Sequence, residues 1–320
     1  MLLFLGDQNS EHAIRGRQDR VAIGPVSYHS SMRPKPIAKS AEHGKPSSLP
    51  KAFGPLSRKG FEIKFLGHAQ SILTGEFGDA LSEISGVLDR VELPITEIIG
   101  SGGGETKFTQ RLRRALAALG WQKHEFKIAK TIDGVQRESI SHEVDHVKRF
   151  DAGAIACEIE WNNKDPFFDR DLENFKRLHA EGAISAAILI TRGKSLQNAL
   201  WDAVQRFAAD RGIQDMDLLA QHSVVPTPKQ RANILKRVNR KGDPLPFVQA
   251  WTDNFVSNKF GQATTHWSKL MDRVDRGVGN PCPLLLIGLP ASILVFDAAP
   301  VEAVTDDDLK VSDAGSNLQE

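Results

Sequence analysis

Glu158 and Glu160 close the apolar run "GAIACEIEW", residues 153–161. An ionised acid buried without a partner loses its water at high cost, so two acids at this point need either solvent or something positive. Strand alternation puts Ala154, Ala156, Glu158 and Glu160 on one face, and Ile155, Cys157, Ile159 and Trp161 on the other. The apolar face is expected to enter the core. The small-residue face leaves room above the sheet for a ligand. One hairpin upstream, "HEVDHVK" supplies Asp145, with twelve residues between it and Glu158. Three carboxylates in a small volume repel one another and raise each other's pKa, and a divalent cation removes that penalty. Hard oxygen ligands suit Mg²⁺, which keeps several of its waters. Such an ion activates a water and offsets charge developing on a phosphodiester. The plain alternative is a solvent-facing strand edge with Asp145 as a surface acid, and spacing alone leaves both open.

The surrounding sequence reads as elements able to hold these acids. "FGDALSEISGVLDRVE" places Ala80, Ile84, Val87 and Leu88 on one helical face, and "ELPITEIIG" reads as a short strand. "SGGGETKFTQRLRRALAALGW" then reads as a turn and a helix with Phe108, Leu112, Ala115, Leu116 and Leu119 inward and Gly120 as its stop. "HEFKIAKTI" and "ESISHEVDHVKRF" alternate as strands. After the acids, Asp165 is a candidate N-cap with Pro166 at the first helical position, and Phe168, Leu172, Phe175 and His179 form the inward stripe. "AISAAILIT" is a continuous apolar strand of the kind covered on both faces. Strand, helix, strand in this order implies an α/β domain with a mixed central sheet between helices.

Composition sets the outer limits. The chain has 320 residues, 40% hydrophobic and 25% charged, with no apolar run of membrane-spanning length. "MLLFLGD" lacks a basic n-region, and two cysteines, Cys157 and Cys282, are too few for a disulfide framework, so a cytoplasmic protein is expected. Residues 1–60 hold ten Lys/Arg against four acids and are rich in Pro, Ser and Gly. They read as a basic, unfolded arm, residues 61–300 as one domain, and residues 301–320 as an acidic, unfolded tail.

Three blocks in order carry a family resemblance: "GGGETKFTQRLRRALAALGW", then "HEVDHVKRF…GAIACEIEWNNKDPFFDRDLENFKRLHAEGAISAAILITRG", then "TTHWSKLMDRVDRGVGNPCPLLLIGLP". Over about residues 61–295 the chain resembles the PD-(D/E)XK nucleases, specifically type II restriction endonucleases of the BglII/BstYI kind. That resemblance implies a restriction-endonuclease-like core and Mg²⁺-dependent double-strand cleavage of DNA at a short palindrome, with a GATC-centred site as the first guess. It also implies a homodimer and a cognate DNA methyltransferase in the same system. Asp145 and Glu158 match the metal-binding acids, and the carbonyl of Ile159 is a further ligand by the same correspondence. Glu160 stands where most of the superfamily has lysine and the nearest relatives have glutamine, and it is similar to the glutamate of BamHI-type enzymes. Its role is open between base, water-orienting group and extra ligand. Asn163 falls where relatives read the central base pairs.

Other candidates are weaker. "GSGGGETK" lacks the Gly-Lys-Ser/Thr ending of a phosphate loop, so its glycines are expected to serve a tight turn. Glu105 is read either as a cap at the helix's positive end or as an additional metal ligand. His142 and His146 share a strand face turned away from Asp145, and no C-x-x-C supports zinc. Arg192 and Lys194, in "TRGKSLQ" at a strand end, are candidates for guanine or phosphate contacts, with a surface-loop role as the alternative. Trp251, Trp267 and Phe255 read as core. Two readings compete with the restriction enzyme: a repair or other nuclease of the same fold without palindrome specificity, and a DNA-binding protein that uses the acids structurally.

Overall fold

The computed structural model describes residues 49–100 and 105–301. The glycine run, most of the expected basic arm and the acidic tail lie outside the described residues. Folded elements nonetheless lie ahead of the expected boundary at 61. A 3₁₀ turn at Lys51–Phe53 leads into helix α1 (Gly54–Arg58), and Phe53 and Leu56 are completely buried. Residues 49–60 therefore belong with the domain, because their two large apolar side chains fill its core.

Strand β1 (Glu62–Leu66) is followed by α2 (Ala69–Glu76) and α3 (Gly78–Asp89), and then by a two-residue strand β2 (Leu93–Pro94). The expected strand in "ELPITEIIG" is a helix, α4 (Ile95–Gly100), which buries Ile95, Thr96, Ile98 and Ile99. The hydroxyl of Thr96 in its first turn donates to Asp297 Oδ2 at 2.7 Å. Helix α5 (Lys107–Ala118) is N-capped by Thr106 and buries Phe108, Leu112 and Leu116, whereas Ala115 and Leu119 of the expected stripe are exposed.

Strands β3 (Gln122–Ile132), β4 (Val135–Phe150) and β5 (Gly153–Glu160) follow in antiparallel succession. Helix α6 (Phe167–Ala180) crosses to β6 (Ala186–Arg192), which pairs with β5 in parallel. A helical stretch follows, comprising α7 (Lys194–Asp210), α8 (Met216–Gln221), α9 (Pro228–Val238), α10 (Phe247–Lys259) and α11 (Trp267–Val274). It returns to β7 (Leu284–Leu289), and β8 (Leu294–Val295) pairs with β2. Among the described residues the main sheet has six strands in the order β1-β7-β6-β5-β4-β3, parallel through its centre and antiparallel at both ends. It is the mixed sheet between helices that the sequence implies.

Both faces of the central strands are covered. Ile155, Cys157, Ile188, Ile190, Leu285 and Ile287 face one core with Phe53, Leu200, Phe207 and Trp251. Ala154, Ala156, Ala187, Leu189 and Leu286 face a second core made by Phe168, Leu172 and Phe175 of α6 and Trp267 and Leu270 of α11. The small residues of β5 thus make room for α6 rather than for a ligand. A cleft opens past Ala156, where the same face turns acidic. His179 of the expected α6 stripe is half-buried, and Leu178 takes the inward place.

Candidate active site

The face of β5 that starts with two alanines ends on Glu158 and Glu160, which are 6% and 3% exposed. Both border a cleft of about 520 Å³ whose walls also include Ser141, His142, Glu143, Asp145, Asn163, Phe167, Arg170 and Asn174. The pairing that sets His146 opposite Cys157 brings Asp145 next to Glu158, and the Asp145 N–H donates to Glu158 Oε1 at 3.3 Å.

A β-bulge shapes this wall. Gln122 pairs with Val147 but His124 pairs with Val144, so two residues of β3 span three of β4. Such an insertion re-aims the side chains beyond it. Val144 and Val147 accordingly enter the same core, and His142 lines the cleft with Asp145. The expectation that His142 points away from Asp145 holds only for an unbroken strand, and the bulge overturns it. His146 is buried, with Nδ1 at 3.2 Å from the Cys157 carbonyl oxygen.

Two further residues, absent from the sequence reading, complete the site. Asp171 is 2% exposed on α6, and Arg170 beside it donates from Nε and Nη2 to Asp171 Oδ1 at 2.9 and 2.8 Å. Nη2 also lies 3.6 Å from Glu160 Oε1, and the guanidinium sits 4.3 Å from the Phe167 ring centroid. Asp171 Oδ2 is buried without a hydrogen-bond partner. A signal for Asp171 existed. It falls three residues after Phe168 and four before Phe175, on the helix's apolar stripe, where a charge is out of place.

These carboxylates disturb one another. Burial, then the charges of Asp171, Asp145 and Glu160, push Glu158 well above the usual carboxylate range. Burial and then Asp171 do the same to Glu160. Burial also raises Asp171, against the opposing pull of Arg170. Asn163 Nδ2 donates to Glu160 Oε2 at 2.7 Å, so Glu160 is held from two sides.

Among the described residues no three His, Cys, Asp or Glu side chains already stand at ligand spacing as a closed cage. The donor set still suits a hard divalent cation. Mg²⁺ is commonly bound through one or two carboxylates with waters and substrate phosphates completing its shell. Asp145 and Glu158 are the two acids that would fill this role, and the repulsion that adds to burial in raising Glu158 is of the sign a cation relieves.

The remaining expected residues fall elsewhere. Arg192 is fully buried. It donates to Asn162 Oδ1 at 3.3 Å, Thr264 Oγ1 at 2.7 Å and the Thr265 carbonyl at 2.7 Å, and packs near the Trp161 and Phe260 rings. It ties the segment after β5 to the segment before α11 and cannot reach DNA from there, which corrects the base-reading expectation. Lys194 is exposed at the start of α7, where its N–H donates to Glu62 Oε2 at 2.8 Å, outside the cleft. Glu105 is also outside the cleft walls and forms a two-pronged ion pair with Arg113 at 3.0 and 3.1 Å. Asp165 is not the cap of α6. Its carboxylate pairs with Arg273 at 3.2 Å, and Pro166 takes the cap position. Cys157 and Cys282 are both buried and free, and Trp251 and Trp267 are core side chains as expected.

Compared with known protein families, residues 61–289 match the model described as Restriction endonuclease BglII/BglIII. Comparison with curated proteins gives no match.

Proposed function

Because the chain belongs to the BglII/BglIII restriction endonuclease family and is thereby a type II site-specific deoxyribonuclease, we propose that the acid-lined cleft at the end of β5 is where it hydrolyses DNA. The observation that carries this reading is the buried pair Glu158 and Glu160, set beside Asp145 in an open cleft. The family uses a divalent metal ion, and Mg²⁺ is the ion this oxygen-only donor set favours. Asp145, Glu158 and the Ile159 carbonyl would hold it, with Glu105 the more distant candidate. When bound, the ion lowers the pKa of a water and offsets charge on the phosphodiester oxygens.

The chain's own groups supply the rest. Glu160, fixed by Asn163 and Arg170, orients the attacking water. The water oxygen bonds to phosphorus as the P–O3′ bond breaks, leaving a 5′-phosphate and a 3′-hydroxyl, with the water's proton passed to solvent and the 3′ oxygen protonated from it. Asn163, at the rim, presents its amide oxygen to the central bases while its Nδ2 holds Glu160. Lys194 is a candidate phosphate contact outside the cleft.

The enzyme acts as a homodimer on a short palindrome, because identical half-sites are met by a two-fold protein that cuts one strand per subunit. A GATC-centred sequence is the first to test, and a DNA methyltransferase that marks the same site is the expected companion in the cytoplasm. The basic chain ahead of residue 49 adds sequence-independent affinity for DNA. Digestion of long, unmethylated amplified DNA with Mg²⁺ tests the reading. Discrete fragments with one common end sequence are expected. A smear would favour a nuclease without site preference, and binding without any cutting would leave a DNA-binding protein.

A further inference from the structure

We propose that Arg170 is the residue that grips the scissile phosphate, with Asp171 as its buried anchor; this rests on the cleft being the hydrolytic site. Among the cleft-lining residues Arg170 is the one Lys or Arg, facing Glu143, Asp145, Glu158 and Glu160. A phosphodiester entering so acidic a cleft is repelled, and one divalent ion offsets only part of that charge. Arg170 supplies cationic charge that belongs to the protein itself.

Its geometry suits an anion. Nε and Nη2 are spent on Asp171 Oδ1, at 2.9 and 2.8 Å, and the guanidinium face packs over Phe167 at 4.3 Å. Among the described residues no acceptor is bonded to Nη1, and the side chain is 54% exposed. The planar fork is therefore fixed along one edge and open along the other, the arrangement that favours two-pronged contact with phosphate oxygens.

Asp171 explains why the fork holds still. It occupies an apolar-stripe position of α6, between Phe168 and Phe175, where an acid contributes nothing to packing. Among the described residues the cation paired with it is Arg170. A surface arginine tethered only by solvent-facing groups would pay side-chain entropy on every phosphate contact, and this anchor removes much of that cost. Asp171 thus acts through Arg170 and is a positioning residue.

The test is chemical rescue of Arg170→Ala in the full chain, on unmethylated DNA that the unaltered enzyme cuts. Single-turnover cleavage is expected to fall about 100-fold, the usual loss for one donor to a developing anion. Free guanidinium ion should restore part of the rate, and NaCl at equal ionic strength should not. Mg²⁺ competition against Tb³⁺ luminescence is expected to show binding no weaker than in the unaltered enzyme, since a positive neighbour has been removed. An unchanged rate overturns the proposal, and so does a slow variant that guanidinium fails to revive, because a merely structural arginine is not replaced by a small ion. If thermal melting shows that the alanine variant does not fold, Arg170→Lys serves instead. It keeps the charge beside Asp171 but lacks the fork, so about 10-fold slower cleavage is expected, and an unaltered rate counts against the phosphate grip. Failure of the unaltered enzyme to cut any of the DNA would instead strike the nuclease reading beneath it.

Discussion

At the scale of single residues the site is a problem in like charge. Glu158, Glu160 and Asp171 are all nearly inaccessible; burial raises all three, and the charge of Asp171 pushes both glutamates further toward the protonated form. Strand alternation made the first two legible, because acids at alternate positions following two alanines share a face. The partners that give Glu160 its setting were not legible in the same way. Asn163 and Arg170 reach it from a bend and from the next helix, and no local spacing rule links those positions to β5. Glu160→Gln keeps an oxygen for the Asn163 amide but loses the charge. Single-turnover cleavage is expected to slow by about 100-fold, within the range for loss of a proton-handling group, with DNA affinity little changed and a higher Mg²⁺ midpoint. A variant with unaltered rate and metal dependence would make Glu160 a bystander.

At the scale of elements, the strongest departures from the sequence reading come from tertiary contacts. "ITEIIG" carries β-branched residues in a short apolar run, for which helix and strand cannot be separated by periodicity. It becomes α4 because four of its six residues find a core and Thr96 finds Asp297. The bulge in β4 is equally silent in sequence, since it is fixed by how β4 meets β3 while still pairing with β5. Arg192 is the clearest case. A cation after "AAILIT" at a strand end looks like a loop residue offered to a ligand, yet its guanidinium crosslinks Asn162, Thr264 and Thr265 in the interior. Arg192→Ala would leave a buried carbonyl without its donor and a cavity between Trp161 and Phe260. About 3 kcal/mol of stability should be lost, read as a lower denaturant midpoint at unchanged slope. A variant as stable as the unaltered protein but defective in DNA binding would return Arg192 to the base-reading role.

For the molecule as a whole, the order of elements from α5 to β6 and the mixed sheet between helices were legible, whereas β1, β7 and the helices between β6 and β7 were not read. The central strand β6 read as an unbroken apolar run, and α6 carries an amphipathic stripe between β5 and β6. The start of the domain was misplaced, because "KAFGPLSR" is too short to show periodicity and declares itself only through Phe53 and Leu56 in the core. A chain starting at residue 49 should melt with the full-length protein. One starting at residue 61 should lose several kcal/mol, about that of two fully buried side chains removed, and show a much lower Tm. The shorter deletion removes seven Lys/Arg and four acids. Its nonspecific DNA binding should weaken and fall less steeply with salt. Equal stability of the two truncated chains would remove residues 49–60 from the core.

All of this depends on one cleft hydrolysing DNA with a cation held by Asp145 and Glu158. The most direct measurement is the single-turnover cleavage rate of Glu158→Gln across a Mg²⁺ titration, with DNA affinity measured in parallel. Glutamine keeps the size of the side chain and removes the like charge, so the fold should be retained or even stabilised. The result expected is intact DNA binding with cleavage abolished at every Mg²⁺ concentration. Near-normal cleavage at saturating Mg²⁺ would contradict it and place the chemistry elsewhere in the molecule.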